Sequence, residues 1–149
     1  NMVTHLLEAA YQREVYKKVD NGESLTAPVL NKLMRNVYEQ FFGDAVELTD
    51  GMELTWMRQP HYYMGLYSYT YSAGLTIGTV VSQKIKKEGQ KAVDAWLETL
   101  KAGGSKNPVE LAKVAGVDIT TNAPLKSTIA YISELVDEVE TLTNEIEHN

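Results

Sequence analysis

Gln59-Pro60-His61-Tyr62-Tyr63-Met64-Gly65-Leu66-Tyr67-Ser68-Tyr69-Thr70-Tyr71-Ser72-Ala73-Gly74 is the stretch on which the fold turns. Five of the chain's nine tyrosines fall within it, at 62, 63, 67, 69 and 71. Alternation at 67, 69 and 71 suits a β-strand, because tyrosine fits a pleated, half-buried surface. The residues that follow argue for a helix. At about 100° per residue, Tyr62, Leu66, Tyr69, Ala73, Ile77 and Val80 share one mostly apolar face. Tyr63, Tyr67, Tyr71, Gly74 and Gly78 share a second face, between a quarter and a half turn away. A strand would not sort side chains so cleanly over so long a run. The spacing predicts a helix from about Tyr62 to Lys87, ending at Gly89, with Pro60 disfavouring helical geometry at Gln59.

Helical rhythm continues on both sides. Upstream, Val3, Leu6, Leu7, Ala10, Tyr11 and Val15 recur at helical spacing until Asp20-Asn21-Gly22 breaks the pattern. Thr26 then reads as an N-cap with Pro28 in the first turn of a helix that runs to Phe42 and stops at Gly43-Asp44. A short helical turn is expected around Met52–Arg58. Downstream, Ala92, Val93, Trp96, Leu97 and Leu100 line one side of a helix over 90–102, ended by Gly103-Gly104. Asn107-Pro108-Val109-Glu110 has the residues of a capping box, and the two-turn helix it opens ends at Gly116. The last helix starts near Asn122-Ala123-Pro124. Its apolar repeat is Leu125, Ile129, Ile132, Val136, Val139 and Ile146, interrupted by Thr143. There is no internal repeat and no convincing strand. The expected architecture is an all-α helical bundle forming a single domain over 1–149.

Composition narrows the function classes. The chain has 149 residues, 44% of them hydrophobic and 23% charged, an ordinary globular balance. A net charge of -6 disfavours non-specific nucleic-acid binding, since a polyanion needs a basic surface. The absence of cysteine excludes disulfides, thiolate zinc sites and thiol nucleophiles, and fits a reducing cytosol. No run of about 18 apolar residues exists to span a membrane. Glu8, Gln12 and Arg13 interrupt what would be the apolar part of a signal peptide. Asn1-Met2 is not a translation start, so a piece of a longer protein is expected.

Chemistry concentrates on the tyrosine face. Three phenols at i, i+4 and i+8, continued by Gly74 and Gly78, present polar tips and then bare backbone. Phenol hydroxyls can donate hydrogen bonds to a developing oxyanion or fix a peptide backbone. Glycines let a ligand or a second helix approach closely. His61, just before the helix, can donate a hydrogen bond or carry a proton near neutral pH. Against this, a tyrosine stripe is more often packing with satisfied hydroxyls, and the two glycines could be helix contacts. His5 and His148 are weaker candidates, and the three histidines lie too far apart in sequence for metal-ligand spacing. Arg58 could hold a carboxylate, although a surface ion pair is the simpler expectation. The acidic residues Glu134, Asp137, Glu138, Glu140, Glu145 and Glu147 read as the solvated face of the last helix. No His-Glu-x-x-His, Gly-x-Ser-x-Gly or phosphate loop is present.

Several phrases together resemble the oligoendopeptidase F branch of the thimet-type (M3) zinc metallopeptidases. They are Gly22-Glu-Ser-Leu-Thr26, Tyr38 through Phe42-Gly43-Asp44, Trp56-Met-Arg-Gln-Pro-His-Tyr-Tyr63 and Tyr69-Thr-Tyr-Ser-Ala-Gly74. Leu100-Lys-Ala-Gly-Gly-Ser105, Pro108-Val-Glu-Leu111 and Ala115-Gly-Val-Asp118 follow in the family's order. The resemblance implies the C-terminal part of a zincin-like catalytic domain that encloses a deep channel. It also implies a zinc ion held by a His-Glu-x-x-His helix and a later Glu, where activated water attacks short peptides. His61, Tyr67 and Tyr71 are then the catalytic candidates, stabilising the tetrahedral intermediate from across the channel. Tyr63, Tyr69 and Gly74 are candidate substrate contacts, Tyr69 with less weight because it lies on the apolar face. The zinc ligands are expected upstream of Asn1, so this chain is expected to bind no metal and to be inactive alone. Its expected partners are an oligopeptide substrate and the rest of the peptidase, in the cytoplasm, with neither nucleic acid nor membrane. Self-association through exposed apolar surface is a further expectation. The alternative is a non-catalytic helical module that docks a peptide or protein in a tyrosine-lined groove.

Overall fold

A computed structural model describes residues 1–147. His148 lies outside the described residues. Regular structure among them is entirely helical: α1 (Met2–Asp20), α2 (Ala27–Phe42), α3 (Thr55–Arg58), α4 (Ser68–Glu88), α5 (Gln90–Ala102), α6 (Pro108–Val114) and α7 (Ala123–Glu147), with 3₁₀ turns at Met52–Leu54 and Pro60–Tyr63. Two compact units divide the chain, one over 1–74 and the other from Leu75 onward. No helix of the described residues is long and apolar enough to cross a membrane.

In the first unit α1 packs on α2 around Leu7, Tyr11, Met34 and Val37. Val15, Leu30, Leu33, Tyr38, Phe42, Trp56 and Tyr62 close over that core. Met34 is fully buried, and removing such a side chain from water is worth roughly 1.5–3 kcal/mol. Trp56 turns its indole N–H to Asn31 Oδ1 at 2.8 Å, so its apolar body can be covered without an unmet donor. Arg35 holds the connection after α2 by donating to the Leu48 carbonyl at 3.1 Å.

The buried face of α1 differs from the one its apolar spacing predicts. Leu7 and Tyr11 are inside, but Val3, Leu6 and Ala10 are exposed, and His5, Glu8 and Gln12 are buried in their place. A polar row on the inner side of a helix costs free energy unless each group finds a partner. Those partners come from the segment before α4.

That segment also corrects the predicted start of the central helix. Gln59 is extended, with φ -97° and ψ 115°, as a residue before proline prefers, and Pro60 opens a 3₁₀ turn. The chain then passes Gly65 and a left-handed Leu66 at φ 50° before α4 begins at Ser68. An L-residue at that φ is costly, which marks a real interruption rather than a frayed end. Tyr63 therefore does not continue the helical face of Tyr67 and Tyr71. Once begun, α4 turns small hydroxyls inward: Ser68, Ser72 and Thr76 are buried at i, i+4 and i+8. Ser72 Oγ donates to the Met2 carbonyl at 3.1 Å.

The second unit gathers Ile77, Val80, Ile85, Trp96 and Ile119 around buried Val81, Ala115 and Val117. The capping box forms as the sequence predicts. Asn107 Oδ1 accepts from the Glu110 backbone at 3.0 Å, and Glu110 Oε2 accepts from the Asn107 backbone at 3.3 Å. Gly116 adopts φ +75°, and a side chain there would collide with the Lys84 ammonium that donates to its carbonyl at 3.1 Å. In α7 only Pro124 and Thr128 are buried. The apolar repeat beyond them lies open, with Val136 60% and Val139 64% exposed.

Candidate functional site

The polar row of α1 and the segment 59–71 meet within the first unit. His5, Glu8 and Gln12 stand at i, i+3 and i+7, one side of one helix. His5 Nδ1 lies 2.7 Å from Glu8 Oε2, and Gln59 Nε2 donates to Glu8 Oε1 at 2.7 Å. Both oxygens of a carboxylate only 2% exposed are thereby engaged, which is what a buried acid requires. One turn on, Gln12 Nε2 faces the carbonyls of His61 (3.2 Å), Met64 (3.4 Å) and Tyr62 (3.5 Å). Two N–H groups shared among three acceptors hold the 3₁₀ turn against α1.

On this support sits a chain of hydrogen bonds. His61 Nε2 is 3.3 Å from the Tyr71 hydroxyl, which is 3.0 Å from the Tyr67 hydroxyl. The Tyr67 and Tyr71 rings meet edge to face at 5.3 Å and 89°. On its other side Tyr71 stacks on His5, with centroids 4.3 Å apart and planes 19° from parallel. The bond to Tyr67, followed by desolvation, raises the Tyr71 phenol above its ordinary value. It therefore stays protonated, and able to donate, across the neutral range. His61 Nδ1 is buried and has no hydrogen-bond partner in the protein. If Nε2 carries the proton, the unmet group is a lone pair rather than an N–H.

Tyr62 lies behind this chain, with its ring edge-on to Tyr11 at 5.2 Å. Burial first, and the Glu8 charge second, push the Tyr62 phenol far above the ordinary range, and burial does the same to Tyr11. A raised folded-state value stabilises the fold fully below the unfolded phenol's value of about 10, and that stability is lost as pH rises above it. Urea unfolding followed from pH 8 to 11.5 should therefore show a steep alkaline loss that Tyr62→Phe makes shallower. At pH 7 the same variant should be within about 1 kcal/mol of the parent, because the Tyr62 hydroxyl is buried without a protein partner.

His61, Tyr67 and Tyr71 thus come together. Tyr63, Tyr69 and Gly74 lie outside this chain of hydrogen bonds. Tyr63 projects from the 3₁₀ turn and is 70% exposed. Tyr69 faces a separate cleft of about 390 Å³ with Tyr16, Arg13 and Leu66. Gly74 is exposed on α4, and an added Cβ would meet nothing within 4 Å. Sequence reasoning missed Glu8, Gln12 and Gln59, and set His5 aside on its distance along the chain. The available signal was the run of His5, Glu8 and Gln12 at helical spacing opposite Val3 and Leu6. No group of three His, Asp or Glu side chains among the described residues is placed to hold a metal ion.

With this geometry in view, comparison with known proteins identifies the class. The profile of peptidase family M3 matches residues 1–131, and the chain belongs to that family. Within it, the chain is 33% identical over 141 residues to oligopeptidase PepF of Bacillus subtilis, covering 95% of this chain and 21% of that protein. An oligoendopeptidase F homolog of Borreliella burgdorferi is 26% identical, over 88% of this chain and 22% of the relative. The crystal structure of oligoendopeptidase-F from Enterococcus faecium superposes with a TM-score of 0.88 at 28% identity, over 95% of this chain and 27% of that one. The chain spans between a fifth and a third of the length of these relatives.

Proposed function

We propose that this chain is the substrate-facing helical part of an oligoendopeptidase F-type peptidase that hydrolyses short peptides with zinc. The observation that carries the reading is the hydrogen-bonded chain from His61 through Tyr71 to Tyr67. Its phenols are fixed donors at the surface of a unit whose relatives are named oligopeptidases. In the reaction the Tyr71 hydroxyl, supported on either side by His61 and Tyr67, donates a hydrogen bond to the peptide carbonyl oxygen as it gains negative charge. Donors held in place beforehand stabilise that charge without reorganising. On this reading the chain's own part is hydrogen bonding and orientation of the peptide. Another segment of the full-length peptidase would hold the zinc, which would supply the activated water. The same reading sets the peptidase in the cytoplasm.

The test compares cleavage of a quenched oligopeptide by the full-length peptidase, its His61→Ala variant and residues 1–149 alone. Chelator-sensitive cleavage by the first is expected, lowered about a hundredfold in the second, and none by the third. Cleavage by the isolated chain, or an unchanged rate with His61→Ala, would reject the proposal. Retained binding of peptide with no cleavage by the full-length protein would favour a docking module instead. The open repeat on α7 supports self-association of the isolated chain. Sedimentation should show concentration-dependent species that Val136→Lys with Val139→Lys disperses, and a monomer at all concentrations would reject this part.

A further inference from the structure

We infer that His5, held by Glu8, is a positioning residue for the Tyr71 hydroxyl. The inference rests on the role for Tyr71 proposed above. Tyr71 is 36% exposed, and a tyrosine that open would ordinarily swing about its two side-chain torsions. Here the His5 imidazole covers one face of the phenol at 4.3 Å. The Tyr67 ring closes its edge, leaving the hydroxyl between His61 Nε2 and Tyr67.

The imidazole is itself immobilised. Its Nδ1 is 2.7 Å from Glu8, and the same carboxylate accepts from Gln59 at 2.7 Å. Gln59 stands two residues before His61 in the chain. Glu8 thus fixes two of the groups that surround Tyr71: the ring beneath the phenol, and the backbone that carries His61. Burying this acid and imidazole on the core side of α1 is a poor way to gain stability, since apolar side chains of similar volume would pack there without desolvation. Placement of the Tyr71 donor accounts for the arrangement, because a donor must be held to a fraction of an ångström to act on a transition state.

The experiment is a double-mutant cycle in the full-length peptidase, reading kcat and KM on a quenched oligopeptide. His5→Gln keeps a donor for Glu8 and removes the ring beneath Tyr71, so it is the working variant. Glu8→Gln is the second, should the first fold poorly. In the native background His5→Gln should lower kcat about tenfold with KM changed less than about twofold, as misplacement of a donor would. In a Tyr71→Phe background, where no hydroxyl remains to be placed, the same change should lower kcat less than about twofold. An equal loss in both backgrounds would mean that His5 acts on stability alone, and would overturn the inference while leaving the role of Tyr71 intact. A Tyr71→Phe variant as active as the parent would overturn both.

Discussion

Replacing Tyr71 by phenylalanine in the full-length peptidase should lower kcat about a hundredfold with KM altered less than about threefold. Loss of a single preorganised donor to an oxyanion costs about 10²–10³ in rate. An interaction made only in the transition state appears in kcat and kcat/KM alike, whereas a ground-state contact appears in KM. Phenylalanine keeps the ring that stacks on His5 and meets Tyr67, so the fold around the site should persist. Tyr67→Phe should cost less, because that hydroxyl is linked to His61 only through Tyr71. The direction of the Tyr71 shift adds a pH signature. A phenol raised above its ordinary value keeps its proton past the pH at which a free tyrosine ionises. Activity in the parent should therefore show no loss from this group until above about pH 10. Steady-state rates from pH 6 to 10 check both points, and a Tyr71→Phe profile equal to the parent's would remove the phenol from the reaction.

Met34→Ala should destabilise the first unit by about 2–5 kcal/mol, the range for emptying a well-packed methionine site. Met34 has no solvent exposure and lies among Leu7, Tyr11 and Val37, where α1 packs on α2. Met34→Leu, which nearly conserves volume, should cost less than about 1.5 kcal/mol. Urea unfolding followed by tryptophan fluorescence measures both, since Trp56 packs against this core. Val136→Ala, on the open side of α7, should stay within about 0.5 kcal/mol of the parent. A Met34→Ala cost no larger than the Val136→Ala cost would mean that the core is loosely packed.

Most helix boundaries were legible because capping is local chemistry. Pro28 in the first turn of α2, Gly103 after Ala102 and the Asn107–Glu110 box each act within a few residues, and each ends or opens a helix where predicted, whereas Thr26 holds the N-cap position without a side-chain capping bond. The start of α4 was not. Tyr62 to Tyr67 has helical spacing, but the 3₁₀ turn after Pro60 and the left-handed Leu66 break it, and no periodicity reports a backbone angle. The site was half visible. His61, Tyr67 and Tyr71 are close in sequence and announce themselves by type. Glu8 and Gln12 reach Gln59 and His61 across 51 and 49 positions, so only tertiary structure shows that the pairs exist. The apolar rhythm of α1 also pointed away from them, because Val3 and Leu6 are exposed while polar residues turn inward.

That reversal on α1 bears on anyone who would engineer the protein. A redesign guided by hydrophobic patterning would replace His5, Glu8 and Gln12 with aliphatic residues, and such a helix should pack more stably. It would also release the Pro60–Tyr63 turn and the ring beneath Tyr71, leaving a sturdier protein with a slack donor. Selection for thermal resistance and selection for turnover should therefore diverge at these three positions before anywhere else in the first unit.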